Sequence, residues 1–487
     1  MGAPWLVIDI GSSSAKAALI AEGAILQSAS AAYATQIGDA GMVEQEANDW
    51  WEAVVTVCRE IAEPGQLSGI VLTGQMQDVI LVDETARPLR PVILYSDTRA
   101  KSQIERVHER ISPAELIAIT GNEQTAGSLL AKLHWLREHE PGSISRAARL
   151  LFGGADFIAA QMTGVCAADA TTASTTGLWD LRAHGLLDAA LLRRLELDWL
   201  GALLPKVVRG GEQIGNLTIG AAQALGLSAG APVYLAPGDA GSATIGAGCG
   251  EPGPAYAYVG TSGWVGFTAR EIGAASAGAL TLAHPKRDCF VQVVPMMTSA
   301  GNLDWLQGIF ASHSHDDIIA AALARAPSEL IFLPYLQGER APFNDPLARG
   351  AFIGIAGGTE KADLWRALLE GIIFAYRHTL SALASPLPGK LTLIGGGARN
   401  AGLNQLFADI IGVPAHLPPA AENAGLHGAL RAVEVALGIR QDYAISLAPD
   451  TQILLPSPRY QHHFTRKYQC FRQAYQALKP VFKQMAT

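Results

Sequence analysis

What most constrains this chain is a phrase written twice. An apolar run from Leu6 to Ile10 stops at Gly11 and a serine cluster, and a second apolar run resumes from Ala15 to Ala21. Near the middle, Ala255 to Val259 leads into Gly260-Thr261-Ser262-Gly263 and then Trp264 to Phe267. Each phrase reads as two strands joined by a tight polar turn. The repetition suggests a duplicated architecture, with a boundary where glycine and proline accumulate between Gly246 and Pro254. Length agrees, because 487 residues are too many for one ordinary core. We therefore expect two domains, residues 1–247 and 248–487, with a cleft between them.

Between the repeats, strand and helix patterns alternate. Helical periodicity is clearest in Asn48 to Ile61, Leu129 to Glu138, Ala362 to Ala384 and Leu403 to Ile411, while Ile70 to Leu72, Val79 to Val82 and Leu391 to Ile394 read as short buried strands. That alternation indicates an α/β fold. The tail from Tyr460 to Thr487 is basic and helical in pattern; its His462-His463 pair has no carboxylate or cysteine at a ligand spacing, so it reads as a solvated helix. A net charge of −8 argues against a nucleic-acid surface, which works by neutralising phosphates with clustered Lys and Arg. The five cysteines are far apart, with no Cys-x-x-Cys pair, and read as reduced thiols. With no signal-peptide pattern and no run of 18 or more apolar residues, the expected compartment is the cytoplasm and no membrane partner is expected.

Four constellations carry chemistry. Asp9-x-Gly11-Ser12-Ser13-Ser14-x-Lys16 sets a carboxylate at a strand end before a turn of hydroxyls and backbone N–H groups, which suits phosphate oxygens and a magnesium ion. By itself it reads better as a plain hairpin with a serine-rich turn. Gly260-Thr261-Ser262-Gly263 repeats that chemistry in the second half, so two facing turns could grip a triphosphate. Gly395-Gly396-Gly397-Ala398-Arg399-Asn400 follows an apolar strand and precedes a helix; its bare backbone would admit a flat adenine, or simply make a strand-to-helix turn. Pro237-Gly238-Asp239-Ala240-Gly241-Ser242-Ala243-Thr244 holds a carboxylate among small residues, readable as an N-cap, as a general base, or as both. Gly248, Gly250 and Gly253 spell G-x-G-x-x-G, but Pro252 interrupts the motif and a strand follows, so a dinucleotide site is not expected. No G-x-x-x-x-G-K-[ST] sequence occurs, which disfavours a P-loop.

In this order the four phrases resemble the FGGY carbohydrate kinases over nearly the whole chain. Thr73-Gly74-Gln75-Met76, Ser96-Asp97-x-Arg99, Gly338-Glu339-Arg340-x-Pro342 and the stretch from Gly350 to Glu370 add to the likeness, although Leu129 departs from an earlier family signature that Gly127 and Lys132 fit. The resemblance implies two actin-like domains of the RNase H type around a nucleotide cleft. It implies ATP and Mg²⁺, with Asp239 as catalytic base and Asp9 and Asp239 at the metal. Gly11, Ser12, Ser13, Lys16, Gly260 and Thr261 would serve the phosphates, and Gly396, Gly397 and Asn400 the adenine.

Within the family Gln75-Met76 resembles the xylulokinase branch, so the implied reaction is phosphorylation of D-xylulose on its C5 hydroxyl. Gln75, Met76, Gln77, Asp239 and Ala240 would meet the sugar. Gln77 and Asp78 stand where that branch has His and Gly, and Ala240 where it has Asn, which leaves L-ribulose, L-fuculose, L-rhamnulose or a sugar alcohol as alternative acceptors. A non-kinase actin-like ATPase would leave Gln75-Met76 and Asp239 without a task. A homodimer is common among such kinases.

Overall fold

The computed structural model describes residues 2–61, 65–273, 278–310, 314–383, 387–445 and 450–486. Ala384 and Thr487, the expected ends of two helical stretches, lie outside the described residues. The doubled phrase folds as two hairpins, each seeding a sheet. In the first sheet the antiparallel strands Trp5–Ile10, Ser14–Ala21 and Ala24–Ala32 are extended by Gly69–Gly74 and Pro232–Leu235, both parallel to the first, and closed by antiparallel Glu212–Asn216. The second sheet repeats this plan. Its antiparallel strands Ala255–Val259, Gly263–Ala269 and Phe290–Met296 are extended by parallel Leu391–Ile394 and Ala415–Leu417, and closed by Gln452–Leu454. One further strand, Leu280–Ala283, is added at the meander edge.

The expected buried strands are present within Gly69–Gly74, Met76–Val82 and Leu391–Ile394, and the expected helices as Ala47–Glu60, Leu129–His139, Lys361–Leu383 and Ala401–Ile411. The continuous apolar strands are covered on both faces, as parallel sheets require. Trp50, Val54 and Val57 of Ala47–Glu60 close one side of the first sheet. Its other side is covered from the far end of the chain, by Leu426, Ala429, Leu430 and Val433 of helix Ala424–Ala436 against Val7, Val71 and Tyr234. The chain passes between the sheets through helix Asp239–Thr244 and a wider helical turn, Ile245–Cys249, so positions 247 and 248 fall inside a helical segment rather than a loop. This connection crosses Ala424–Ala436 with no room for side chains: a Cβ on Gly246 would lie 1.7 Å from the Ala424 carbonyl oxygen.

The tail corrects one expectation. Pro458–Met485 is a helix, but not a solvated one: Phe464, Lys467, Tyr468, Phe471 and Tyr475 are buried against the second core. No described helix is long and apolar enough to cross a membrane.

Candidate active site

A cleft of about 350 Å³ opens between the two halves, lined from the first by Ser12, Gln75, Met76, Gln77 and Tyr95, from the link by Asp239 and Ala240, and from the second by Ser262, Trp264 and Arg340. Asp239 is the first residue of its helix, and the N-cap is Gly238. The N-cap reading of Asp239 is therefore corrected: its Oδ1 accepts only from the adjacent Ala240 N–H, at 2.6 Å. Burial first, and then the negative charge of Asp9, push the Asp239 carboxyl up to about 7. The approach to it is held by a residue that the sequence did not single out. Asp169 accepts from the Thr171 and Thr172 N–H groups at 2.8 and 3.1 Å and from Gly238 N–H at 3.4 Å. Thr73 Oγ1 donates to the Pro237 carbonyl at 2.7 Å, which anchors the same segment to the strand before Gln75.

Asp9 lies at the end of the first strand, opposite Lys16. Burial raises its carboxyl to about 6, Lys16 opposing, and its Oδ1 has no hydrogen-bond partner. Lys16 donates to Asn423 of the second half, and burial draws its ammonium below the ordinary value against the pull of Glu422 and Asp9. Among the described residues no group of three or more His, Cys, Asp or Glu could hold a metal by itself. A cation beside Asp9 would thus depend on oxygens brought by a ligand, as magnesium commonly does.

The first turn is closed by Gly11 N–H donating to the Ser14 carbonyl at 3.0 Å, and Gln45 Nε2 donates to the Ser12 carbonyl at 2.8 Å. Gln45 also accepts from Gln75 Nε2 at 3.3 Å, which leaves Gln75 Oε1 without a partner at the cleft. Gln77 has φ +68°, a conformation that glycine favours, and its amide donates to the Thr175 carbonyl at 3.1 Å. Asp78 is fully buried and accepts from Tyr95 N–H at 3.1 Å, while Lys132, equally buried, donates to the Leu94 carbonyl at 2.6 Å. Burial raises the Asp78 carboxyl and lowers the Lys132 ammonium to about 7. Both grip the Leu94-Tyr95 peptide and so fix Tyr95, whose hydroxyl stands 3.4 Å from Ser12 Oγ.

In the second half, Gly260 and Thr261 form a turn whose carbonyls accept from the Ala300 and Ser299 N–H groups at 2.9 Å. Gly395 and Gly397 pack on Val259, just before that turn, with no space for a Cβ, whereas Gly396 faces open space. Asn400 caps helix Ala401–Ile411, accepting from Leu403 N–H at 3.0 Å, and also donates to Asp316. Ser12, Gln75, Met76, Gln77, Asp239 and Ala240 thus line one cleft, with Asp9 beside them. Gly11, Ser13, Lys16, Gly260, Thr261, Gly396, Gly397 and Asn400 lie outside that lining, Lys16 on strand Ser14–Ala21 and the others on the two turns and the glycine-rich segment. Ala240 joins Leu280, Leu282, Val291 and Val293 in an apolar wall. Tyr95, Trp264 and Arg340 were missed; only Arg340 had a sequence signal, the Gly338-Glu339-Arg340 phrase.

Residues 4–246 match the model of the FGGY family of carbohydrate kinases, N-terminal domain, and residues 255–437 match that of the C-terminal domain. A xylulose kinase of Klebsiella pneumoniae is 29% identical over 98% of this chain and 99% of its own. A ligand-bound xylulose kinase structure from Lactobacillus acidophilus superposes with a TM-score of 0.88 at 24% identity, covering 99% of both chains. A gluconate kinase from the same organism superposes almost as well, with a TM-score of 0.87 at 24% identity over 99% of this chain and 100% of its own. One backbone serves both acceptors, so the identity of the sugar must be read from side chains in the cleft.

Proposed function

Because the chain belongs to the FGGY family of carbohydrate kinases, we propose that it transfers the γ-phosphoryl group of ATP to the C5 hydroxyl of D-xylulose, with Asp239 as general base. The kinase activity follows from the family; the acceptor, the residue roles and the metal are our reading. One observation carries it: a single carboxyl with its pKa raised to about 7 lines the cleft beside Asp9 and Gln75-Met76. A base poised near the working pH takes a proton efficiently.

In the proposed reaction the sugar oxygen attacks the γ-phosphorus as its O–H proton passes to the Asp239 carboxylate. A new P–O bond forms, the bond from the γ-phosphorus to the bridging oxygen breaks, and ADP leaves with that bond's electron pair. Asp169 and Thr73 hold the base in place. Ser12, Ser13 and Thr261 offer hydroxyls and N–H groups to the phosphates, Gly11 and Gly260 shape the two turns that present them, each donating its N–H within its own turn, and Lys16 and Asn423 join the first turn to the second half. Gly396 leaves room for adenine beside Gly397 and Asn400. The unpartnered Asp9 oxygen and neighbouring Asp239 are the groups that would hold Mg²⁺, which would neutralise phosphate charge when bound. Such catalysis is mostly positioning and charge stabilisation.

Gln75, Met76 and Gln77 favour the ketose reading. The apolar wall around Ala240 supports a second one, a 6-deoxyketose such as L-fuculose or L-rhamnulose, whose methyl group needs no hydrogen bond. A panel of ketoses, polyols and L-ribulose, with ADP release as readout and ³¹P NMR to locate the new ester, separates the two. D-xylulose should give the highest kcat/KM and a 5-phosphate; a preference for a 6-deoxyketose would overturn the first reading and leave the kinase assignment standing.

A further inference from the structure

Trp264 lines the cleft from the second half, and the reaction above gives it no task. Its indole N–H is spent inside the protein, donating to the Tyr256 hydroxyl at 2.8 Å. Tyr256 is fully buried, and its oxygen stands 2.9 Å from Thr244 Oγ1 and 3.4 Å from the Ala240 carbonyl, to which Thr244 Oγ1 donates at 2.7 Å. An indole can only donate and a carbonyl can only accept, so these bonds run one way, from the cleft wall to Ala240. There the relay meets the base, because the same residue offers its N–H to Asp239 Oδ1 at 2.6 Å. Asp169 and Thr73 hold the segment that carries Asp239 from the first half; this chain of bonds holds its helix from the second.

The ring of Trp264 reaches the other reacting partner. It stacks on Tyr258, with centroids 3.8 Å apart and planes 3° from parallel. Tyr258 stands two residues before Gly260, and its ring lies so close that a Cβ on Gly260 would come within 2.7 Å of it. The Tyr258 carbonyl accepts from the Tyr376 hydroxyl at 2.6 Å; that hydroxyl is 2.8 Å from Ser299 Oγ, and Ser299 N–H holds the Thr261 carbonyl at 2.9 Å. Room for the relay comes from Gly266 on the strand of Trp264, where a Cβ would lie 2.6 Å from the Tyr256 ring. One side chain thus joins the helix that presents the base to the turn assigned to the phosphates. We propose that Trp264 is a positioning residue, fixing the Asp239 helix and the Gly260-Thr261 turn at the separation that transfer requires. The inference rests on the roles given above to Asp239 and to that turn.

The test is single-turnover transfer from ATP to D-xylulose in Trp264→Phe, Tyr256→Phe and the double variant, with KM for each substrate and the thermal unfolding midpoint measured alongside. Trp264→Phe keeps a ring against Tyr258 and removes the N–H; Tyr256→Phe removes the hydroxyl. Each should slow transfer by about 10–100-fold, the scale on which a small misplacement of reacting groups is felt, while both KM values stay within about threefold of native. Both substitutions break one chain of bonds, so the double variant should transfer at the rate of Tyr256→Phe alone. A native transfer rate in Trp264→Phe would overturn the proposal whatever the change in stability. So would losses that multiply in the double variant, or a loss confined to KM for the sugar, which would make Trp264 only a wall of the cleft. If Tyr256→Phe fails to fold, Trp264→Phe decides alone. Near-native transfer by Asp239→Asn would remove the base assignment and this inference with it, whereas a slow Asp239→Asn beside a native Trp264→Phe sinks the positioning role alone. Should the enzyme reject D-xylulose but accept another ketose, the acceptor assignment fails by itself, and the same variants are read with that ketose.

Discussion

Taking a carboxylate out of water makes it hold its proton more tightly, and at Asp239 burial lifts the pKa from 3.8 to about 7, with Asp9 adding repulsion. Two outcomes follow. kcat/KM should fall on the acid side of about pH 7, because only the carboxylate can accept a proton. The folded protein also binds this proton more tightly than the unfolded chain does, so the contribution to stability is full below about pH 4 and lost as pH rises through 7. Asp239→Asn escapes that loss, so by thermal unfolding the variant should exceed the native protein in stability at pH 8, by a margin that shrinks toward pH 4. Much of this site could be read from the chain, because Pro237 to Thr244 is a local phrase in which a carboxylate among small residues marks a strand-to-helix turn. Asp169 and Tyr95 could not be read, since each reaches the cleft through a contact made only by the folded chain.

At the scale of elements, two contacts join segments that lie far apart in sequence. Asn122 exchanges hydrogen bonds with Thr281, accepting from its N–H at 2.7 Å and donating to its carbonyl at 2.8 Å. These pin the edge strand Leu280–Ala283, whose Leu280 and Leu282 line the cleft, to the first half. Asn122→Ala should raise KM for the sugar with little change in KM for ATP, and lower stability in denaturant titrations by about 1–3 kcal/mol. The second contact is ionic. Glu370 accepts from Arg366 at 2.5 Å and from Lys467 of the terminal helix, and both Glu370 and Lys467 are at most 1% exposed. Lys467→Met should cost about 3 kcal/mol by leaving the carboxylate short of a partner, and Glu370→Gln in that background should recover part of it. The four helices and three buried strands named from apolar periodicity are present. The burial of the tail was not legible: its Lys and Arg content spoke for solvent, but the aromatic stripe through Phe464, Phe471 and Tyr475 took it into the second core.

At the scale of the molecule, the duplicated phrase foretold duplicated sheets, because a hairpin with a polar turn fixes two antiparallel strands, beside which the remaining strands of each sheet are laid. What it could not foretell is helix Ala424–Ala436, which comes late in the chain and covers the first sheet. That helix meets the Asp239 helix and the turn after it at Gly428 and Gly246 without intervening side chains, so a movement of one against the other bears directly on the base. Gly428→Ala puts a methyl group 1.9 Å from the Ser242 carbonyl oxygen, and should lower both stability and kcat, read by thermal unfolding and steady-state kinetics. The account as a whole turns on Asp239 as the proton acceptor. Single-turnover transfer from ATP to D-xylulose at pH 8, with ATP affinity measured in parallel, tests this most directly. Asp239→Asn should bind ATP within about threefold of the native enzyme and transfer about 10²–10⁴ times more slowly. Transfer at a near-native rate by a variant that still binds ATP would contradict it.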